Sequence, residues 1–266
     1  MAADAAPRSL SGKVLDVLDA FSADAPELTL SDISRRTGLS LSTTHRIVRE
    51  LSEWGALERQ GRGPYRIGLR LFEVASLAPR GPQLREVALP YLEDLYEATH
   101  ENVQLAVREG LELVFLERIT GRDAVRVLTR VGGRFSLHAT GVGLALLAFA
   151  PPEVQEQVLS GSLERWTERT ITDQGQLRRM LADVRRTGVA ISDRQVTMDA
   201  LSVAAPVVGP DDCVVAALSL VVHADGASPH TLAPAVRTAA RGISRALGSP
   251  TARRHPAGAR RRASGP

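Results

Sequence analysis

Residues Thr29–Gly55 read TLSDISRRTGLSLSTTHRIVRELSEWG, and this stretch decides the fold of the first part of the chain. Thr29, with Asp32 three residues later, has the form of a capping box, so a short helix should run from there to about Thr37, where Gly38 closes it. Ser40 then caps a second helix through roughly Trp54, with Ile47, Val48 and Leu51 inward and Gly55 as its stop. Two short helices joined through Thr37-Gly38-Leu39 make a helix-turn-helix. Working outward, Leu10, Val14, Val17, Leu18 and Phe21 recur at helical spacing and predict an amphipathic helix ending before Asp24-Ala25-Pro26. On the other side, the strand-like pieces Ala56–Arg59 and Tyr65–Gly68 flank Gln60-Gly61-Arg62-Gly63-Pro64, a hairpin that would serve as a wing.

In such a motif the second helix lies in the DNA major groove and presents its N-terminal residues to base edges. Ser40, Ser42, Thr43 and Arg46 fall on or near the face left free once the apolar side chains turn inward. Arg46 suits bidentate pairing with guanine, and Ser42 and Thr43 suit phosphates or base edges. Arg49, Arg62, Arg66 and His45 are candidates for backbone phosphates. The competing reading is a protein-interaction module, or a plain three-helix core decorated with solvated arginines.

Charge must be divided before it is interpreted. The chain has 266 residues and a formal net charge of +3, but 32 of its 33 basic residues are arginine, a bias that a GC-rich genome explains first. Residues 31–70 carry eight Arg against four acids, residues 81–248 carry 17 basic against 20 acidic, and the last 18 residues add five Arg and no acid. A basic head, an acidic body and a basic tail result. The 44% apolar content supports a packed core of largely aliphatic side chains. The longest apolar stretch, Val142–Ala150, is far short of the ~20 residues of a membrane-spanning helix, which argues against a membrane partner. With a lone Cys213 and no secretory signal, a reducing cytoplasm is expected.

Leu69–Ala78 has a helical pattern, and Pro79-Arg80-Gly81-Pro82 interrupts it, which places the domain boundary there. The expected organisation is a disordered start at 1–8, a DNA-binding domain at 9–68, a linker helix at 69–82, a second domain at 83–248 and a disordered basic tail at 249–266. Within the second domain Leu84, Val87, Ala88, Tyr91, Leu92 and Leu95 form a helical stripe. Alternation predicts strands at Val103–Val107 and Val125–Val131, then near Val189–Ser192, Ser202–Val208 and Val214–Val222, the last two a hairpin about Gly209-Pro210-Asp211-Asp212. Helices are expected at Gly141–Ala150, Leu177–Val184 and Ala233–Leu247.

The run LTLSDISRRTGLSLSTTHRIVRELSEWGALER, followed by YRIG, SLHATGVGLALLAF, TITDQGQL and VAAPVV before VVAALSL, resembles the IclR family of bacterial transcriptional regulators over about Ser9–Leu247. The resemblance implies an α/β (α+β) chain: an N-terminal winged helix-turn-helix for double-stranded operator DNA, a linker helix used in dimerisation, and a C-terminal GAF-like mixed sheet with flanking helices that binds a small metabolite. Homodimers or homotetramers are common in the family, as are repressors and activators. The start of helix Gly141–Ala150 would offer unpaired N–H groups to an organic acid, making Ala139, Thr140 and Gly141 the first candidates for effector contact. From the family pattern, Ser202 takes the position often held by a cysteine, Ser219 matches a pocket-lining strand serine, and Asp193 lies where acidic residues usually precede that strand. Departures include Ser192-Asp193-Arg194-Gln195 in place of four acids, Val221 in place of a small polar residue, Leu144 in place of a lysine and Leu41 in place of a basic residue. A more apolar, less acidic pocket is implied.

An enzyme would need a placed nucleophile, a proton carrier or a metal. Histidines 45, 100, 138, 223, 230 and 255 never pair at metal-ligand spacing, and Cys213 sits at the hairpin entry to an apolar strand, where a lone cysteine is usually inert. GVGLAL lacks the Lys-Ser/Thr pair of a phosphate loop, and no cofactor motif is present. A ligand-responsive DNA-binding regulator is therefore expected; the alternative is a metabolite-binding or catalytic α/β domain whose helix-turn-helix mediates protein contacts.

Overall fold

Ser9, Thr29 and Ser40 each accept a backbone N–H at the head of a helix, and these three caps set the register of the first structural unit. The computed structural model describes residues 9–59, 61–78 and 81–253. The chain divides between Pro82 and Gln83 into two compact units. In the first, α1 (Leu10–Asp19), α2 (Leu30–Thr37) and α3 (Leu41–Trp54) pack around Val17, Ile33, Ile47, Val48 and Leu57. The capping box at Thr29 is present on both sides, with Thr29 Oγ1 accepting from Asp32 N–H and Asp32 accepting from Thr29 N–H. Gly38 and Gly55 end α2 and α3 at φ of 69° and 88°, a left-handed conformation that favours glycine. A two-residue strand that sequence alternation does not reveal, β1 (Glu27–Leu28), pairs with β3 (Tyr65–Ile67), which also pairs with β2 (Leu57–Arg59). The result is a three-stranded antiparallel wing sheet in the order β1-β3-β2. The unit closes with α4 (Leu69–Ala75).

The second unit is built on a six-stranded sheet in the order β6-β5-β4-β9-β8-β7, from β4 (Asn102–Glu109), β5 (Glu112–Ile119), β6 (Arg134–Ser136), β7 (Ala190–Asp193), β8 (Ala200–Val208) and β9 (Val214–His223). All its pairings among the described residues are antiparallel, which narrows the expected mixed sheet. One face packs on α5 (Pro82–Thr99) and α9 (Pro229–Ala246) through Val103, Leu105, Val203, Leu218 and Leu220. The other packs on α6 (Gly141–Ala148) and α8 (Gln174–Thr187) through Ala106, Ala204 and Ala217. Every residue of α6 is buried, as an apolar-all-round helix requires. Between them lies α7 (Pro152–Ser160), which the sequence reading did not place.

Two expectations fail here for physical reasons. Val125–Val131 joins no ladder: Val125, Val127 and Thr129 turn inward, but a bend falls at Leu128 and a turn at Val131, and the carbonyls of Val125 and Thr129 are held by side chains instead of a neighbouring strand. The sheet is completed by β5, whose apolar residues face both layers and so lack a clean period of two, and by β6, which is too short to show one. The tail is not disordered from residue 249 onward: Ser249 is buried, its hydroxyl donates to Asp212, and α10 (Pro250–Arg253) follows. Residues 1–8, 60, 79–80 and 254–266, with the remaining expectations for the termini, lie outside the described residues.

Candidate functional site

The first unit presents the start of α3 to solvent. Leu41, Ser42, His45, Arg46 and Arg49 are exposed, Thr43 is half-buried, and Thr44 turns into the core with its hydroxyl donating to the Ser40 carbonyl. Ser40 is engaged locally: its Oγ accepts Thr43 N–H at 3.4 Å and donates to Thr43 Oγ1 at 2.9 Å. Arg46 and Arg49 rest on Glu50 and Glu53 one turn on, at 3.7 and 3.6 Å. Exposed pairs of this kind contribute about 0.3–0.5 kcal/mol, so a phosphate or base edge displaces the carboxylates at small cost.

The wing is stiffened by a residue the sequence reading passed over. Arg59 Nε donates to Gly63 O and its Nη2 to Arg62 O, while its guanidinium lies 4.8 Å from the Tyr65 ring centroid. Arg62 is exposed at the tip, and Arg66 pairs with Glu58 at 3.3 Å. Glu58 also accepts the N–H of Leu69, and that bond, with Arg66, holds its carboxyl below the usual range. One face of this unit therefore carries Arg46, Arg49 and His45 along a helix, and a hairpin carries Arg62 and Arg66.

In the second unit the α6 side of the sheet is lined by alternate residues: Asn102 and Gln104 from β4, Ser219 and Val221 from β9, Ala200 and Ser202 from β8, and Ser192 from β7. A cavity of about 450 Å³, its open mouth included, lies against this face. Its floor is Gln104, Val221, Ala200 and Ser202, one end is Thr140-Gly141-Val142, and its cover is formed by Val127–Thr129 and Val196–Thr197. None of the lining side chains is charged.

Of the expected effector residues, Thr140, Gly141 and Ser202 line this cavity and Ala139, Asp193 and Ser219 do not. Thr140 caps α6 by accepting Gly143 N–H at 3.0 Å, which leaves the N–H groups of Gly141 and Val142 without intrahelical acceptors. A Cβ at Gly141 would collide with Ser202 Oγ, so glycine is what lets the helix start approach β8. Ala139 is drawn aside because its carbonyl accepts from Ser192 Oγ at 2.7 Å. Asp193 points to the opposite side from Ser192 by strand alternation and pairs with Arg194. Ser219 is on the same face but is fully buried and does not line the cavity, and its Oγ has no partner among the described residues.

Arg194 does not enter the cavity either. It sits at φ of 55°, bonded to Asp193 and Asp225 at 2.9 and 2.7 Å, and its carbonyl accepts from Thr167. His138, two residues before the helix cap, is buried with Nε2 at 2.9 Å from the Glu164 carbonyl, and burial lowers its pKa.

The sequence reading missed Gln104 and the 127–129 cover. Gln104 Nε2 donates to Thr129 Oγ1 at 2.6 Å, Asn102 Nδ2 to Val125 O at 2.7 Å, and Arg118 Nη1 to Thr129 O at 2.5 Å. A signal existed: Asn102 and Gln104 are polar residues at alternate positions beside the apolar Val103, Leu105, Ala106 and Val107, and buried polar groups need partners. Among the described residues no three His, Cys, Asp or Glu side chains are grouped to hold a metal ion, and no helix is long and apolar enough to cross a membrane.

Comparison with known proteins agrees in both units. Residues 12–61 match the IclR helix-turn-helix domain, and residues 80–245 match the domain described as bacterial transcriptional regulator IclR C-terminal. The HTH-type transcriptional regulator XynR of Escherichia coli is 31% identical over 243 residues, covering 90% of this chain and 96% of that protein. Among solved structures, an IclR homolog from Microbacterium hydrocarbonoxydans complexed with 4-hydroxybenzoate matches with a TM-score of 0.87 and 41% identity, over 90% of this chain and 99% of that one. The IclR of Thermotoga maritima matches with a TM-score of 0.73 and 26% identity, over 89% and 97%.

Proposed function

The chain belongs to the IclR family of bacterial transcriptional regulators, and from that premise we propose that it reads operator DNA with α3 and the wing while sensing a small aromatic carboxylate. It is a ligand-responsive DNA-binding regulator. The observation that carries the effector reading is the uncharged, mostly apolar cavity capped at one end by the start of α6. Backbone N–H groups and the helix macrodipole suit a single carboxylate, with Ser202 beside them, and the apolar walls suit a flat ring. A dicarboxylate would bury a second charge against neutral side chains and is disfavoured. The 4-hydroxybenzoate bound by the Microbacterium homolog has this chemistry.

On the DNA side, Arg46 reads a base edge, while His45, Arg49, Arg62 and Arg66 contact phosphates. Ser40 acts through its cap, with Ser42 and Thr43 at the groove, and Leu41 brings an apolar contact suited to a thymine methyl. Dimerisation through the first unit is supported by Phe72 and Leu77, exposed at 70% and 82%, beside Leu69 and Val74. We assign no catalytic step to the chain; its relatives are named as regulators. Cytoplasmic residence follows from acting on DNA in a bacterium.

The test is a promoter-binding titration at several salt concentrations, with and without benzoate or 4-hydroxybenzoate. Specific binding whose affinity changes with the aromatic acid is expected. Binding indifferent to every small carboxylate, including aliphatic ones, would remove the effector assignment and leave the DNA reading standing.

A further inference from the structure

Two arginines of the wing, Arg59 and Arg62, use their side chains in different ways. The strands β2 and β3 last pair at Arg59 and Tyr65, which leaves residues 60–64 as the loop between them. That loop is poorly suited to holding its own shape. Gly61 lies in the left-handed region at φ of 61°, Gly63 has no side chain to pack, and Pro64 has no N–H to donate. Among the described residues no backbone hydrogen bond closes it.

The guanidinium of Arg59 supplies what the backbone lacks. Its Nε donates to Gly63 O at 2.7 Å, its Nη2 to Arg62 O at 2.9 Å and its Nη1 to the Tyr65 hydroxyl at 3.2 Å, while its central carbon lies 4.8 Å from the Tyr65 ring centroid. Tyr65 is itself fixed, paired with Leu28 across β1 and packed against the cluster of Val17, Ile33 and Ile47. One side chain thus ties the loop to the core. Arg62, by contrast, is exposed at the tip, and its guanidinium has no partner among the described residues.

We propose that Arg59 is a positioning residue for DNA: it contacts no phosphate itself, and it holds the loop in the shape from which Arg62 does. Ordering a glycine-rich loop at the moment of binding costs conformational entropy, and a loop shaped beforehand avoids much of that cost. A phosphate contact by Arg59 would instead take its donors from the two carbonyls and release the loop. Lysine is no substitute, because a single ammonium on a flexible stem lacks the planar fork that meets two carbonyls and covers a ring at once. This rests on the reading of Arg62 as a phosphate contact given above.

Titration of the full chain onto a mixed-sequence DNA duplex at several salt concentrations tests it, since phosphate contacts need no particular operator. Arg62→Ala should weaken binding and lower the salt slope by about 0.9. Arg59→Ala and Arg59→Lys should each weaken binding by about threefold or more. Adding Arg62→Ala to either should then cost a smaller factor than it costs alone, with about 0.9 lost from the slope in total. Arg59→Lys keeps the charge and the stem, so it keeps the test available if Arg59→Ala does not fold. Independent factors for the two arginines overturn the positioning role, and a loss of about 1.8 from the slope of the double variant would make Arg59 a contact in its own right. Unchanged affinity in both Arg59 variants overturns it as well. If Arg62→Ala alone changes neither affinity nor slope, the phosphate reading of Arg62 fails and the positioning role fails with it.

Discussion

Gly141 and Ser202 meet with no room for a side chain on the glycine, and this contact fixes where the α6 N–H groups point. Gly141→Ala should destabilise the protein by about 1–3 kcal/mol through overpacking and weaken effector binding. Ser202→Ala removes the nearer of the two colliding atoms, so the double variant should be less destabilised than the sum of the single changes, as read by denaturant unfolding. A strictly additive double variant would mean the helix start does not depend on this approach. At the DNA face, Arg46→Ala should cost about 1–3 kcal/mol on the preferred operator and relax preference at one base position. Arg62→Ala should weaken all sequences alike and reduce the salt slope by about 0.9. Competition binding against operator variants distinguishes the two. His138 supplies a pH dependence: burial lowers its pKa, so the unfolded chain takes up this proton more readily than the folded one. Stability should therefore be insensitive to this group above the unfolded value near 6.5 and fall as pH drops below it. Unfolding midpoints from pH 7.5 to 5 should slope less in His138→Gln, and an unchanged slope would assign the acid sensitivity elsewhere.

At the scale of elements, the caps do most to determine where helices begin, and they are local, so sequence shows them. Thr29→Ala should cost about 1 kcal/mol of stability, since α2 loses the acceptor for its Asp32 N–H. Calorimetry on the whole chain reads it, and a loss no larger than that of an exposed Ser→Ala control would mean the box is idle. Strands are different. Val125–Val131 has the sequence alternation of a strand, and Val125–Thr129 the burial of one, but Asn102 and Arg118 side chains hold the backbone carbonyls that a ladder partner would otherwise hold. A period of two reports an extended chain lying on a surface, and it does not report what bonds to the backbone. The consequence is functional, because an unpaired segment is free to cover a cavity in a way that a strand inside a sheet is not. On α4, Phe72→Asp should dissociate the assembly at micromolar concentration if this strip is the dimer seam, as followed by light scattering. Retention of the parent mass would place the seam elsewhere.

For the whole molecule, regulation is a coupling between two sites on separate units, and its size is the effector's differential affinity for the DNA-competent and incompetent states. The order of the elements around the turn at Thr37-Gly38-Leu39 was legible in the residues, because capping, glycine punctuation and a 3.6-residue apolar period are properties of neighbours in the chain. So were three residues of the cavity lining, Thr140, Gly141 and Ser202, which lie at an element boundary and in a recognisable run. The tertiary structure alone decided the rest. Which strands complete the sheet, which of Ser192 and Asp193 faces the cavity, and which neighbours bury Ser219 all depend on registers between segments tens of residues apart. Gln104 meets Thr129 across 25 residues of chain. The sequence determined the kind of protein through local, periodic signals, whereas the shape and polarity of what it senses come from non-local pairings that no local pattern encodes.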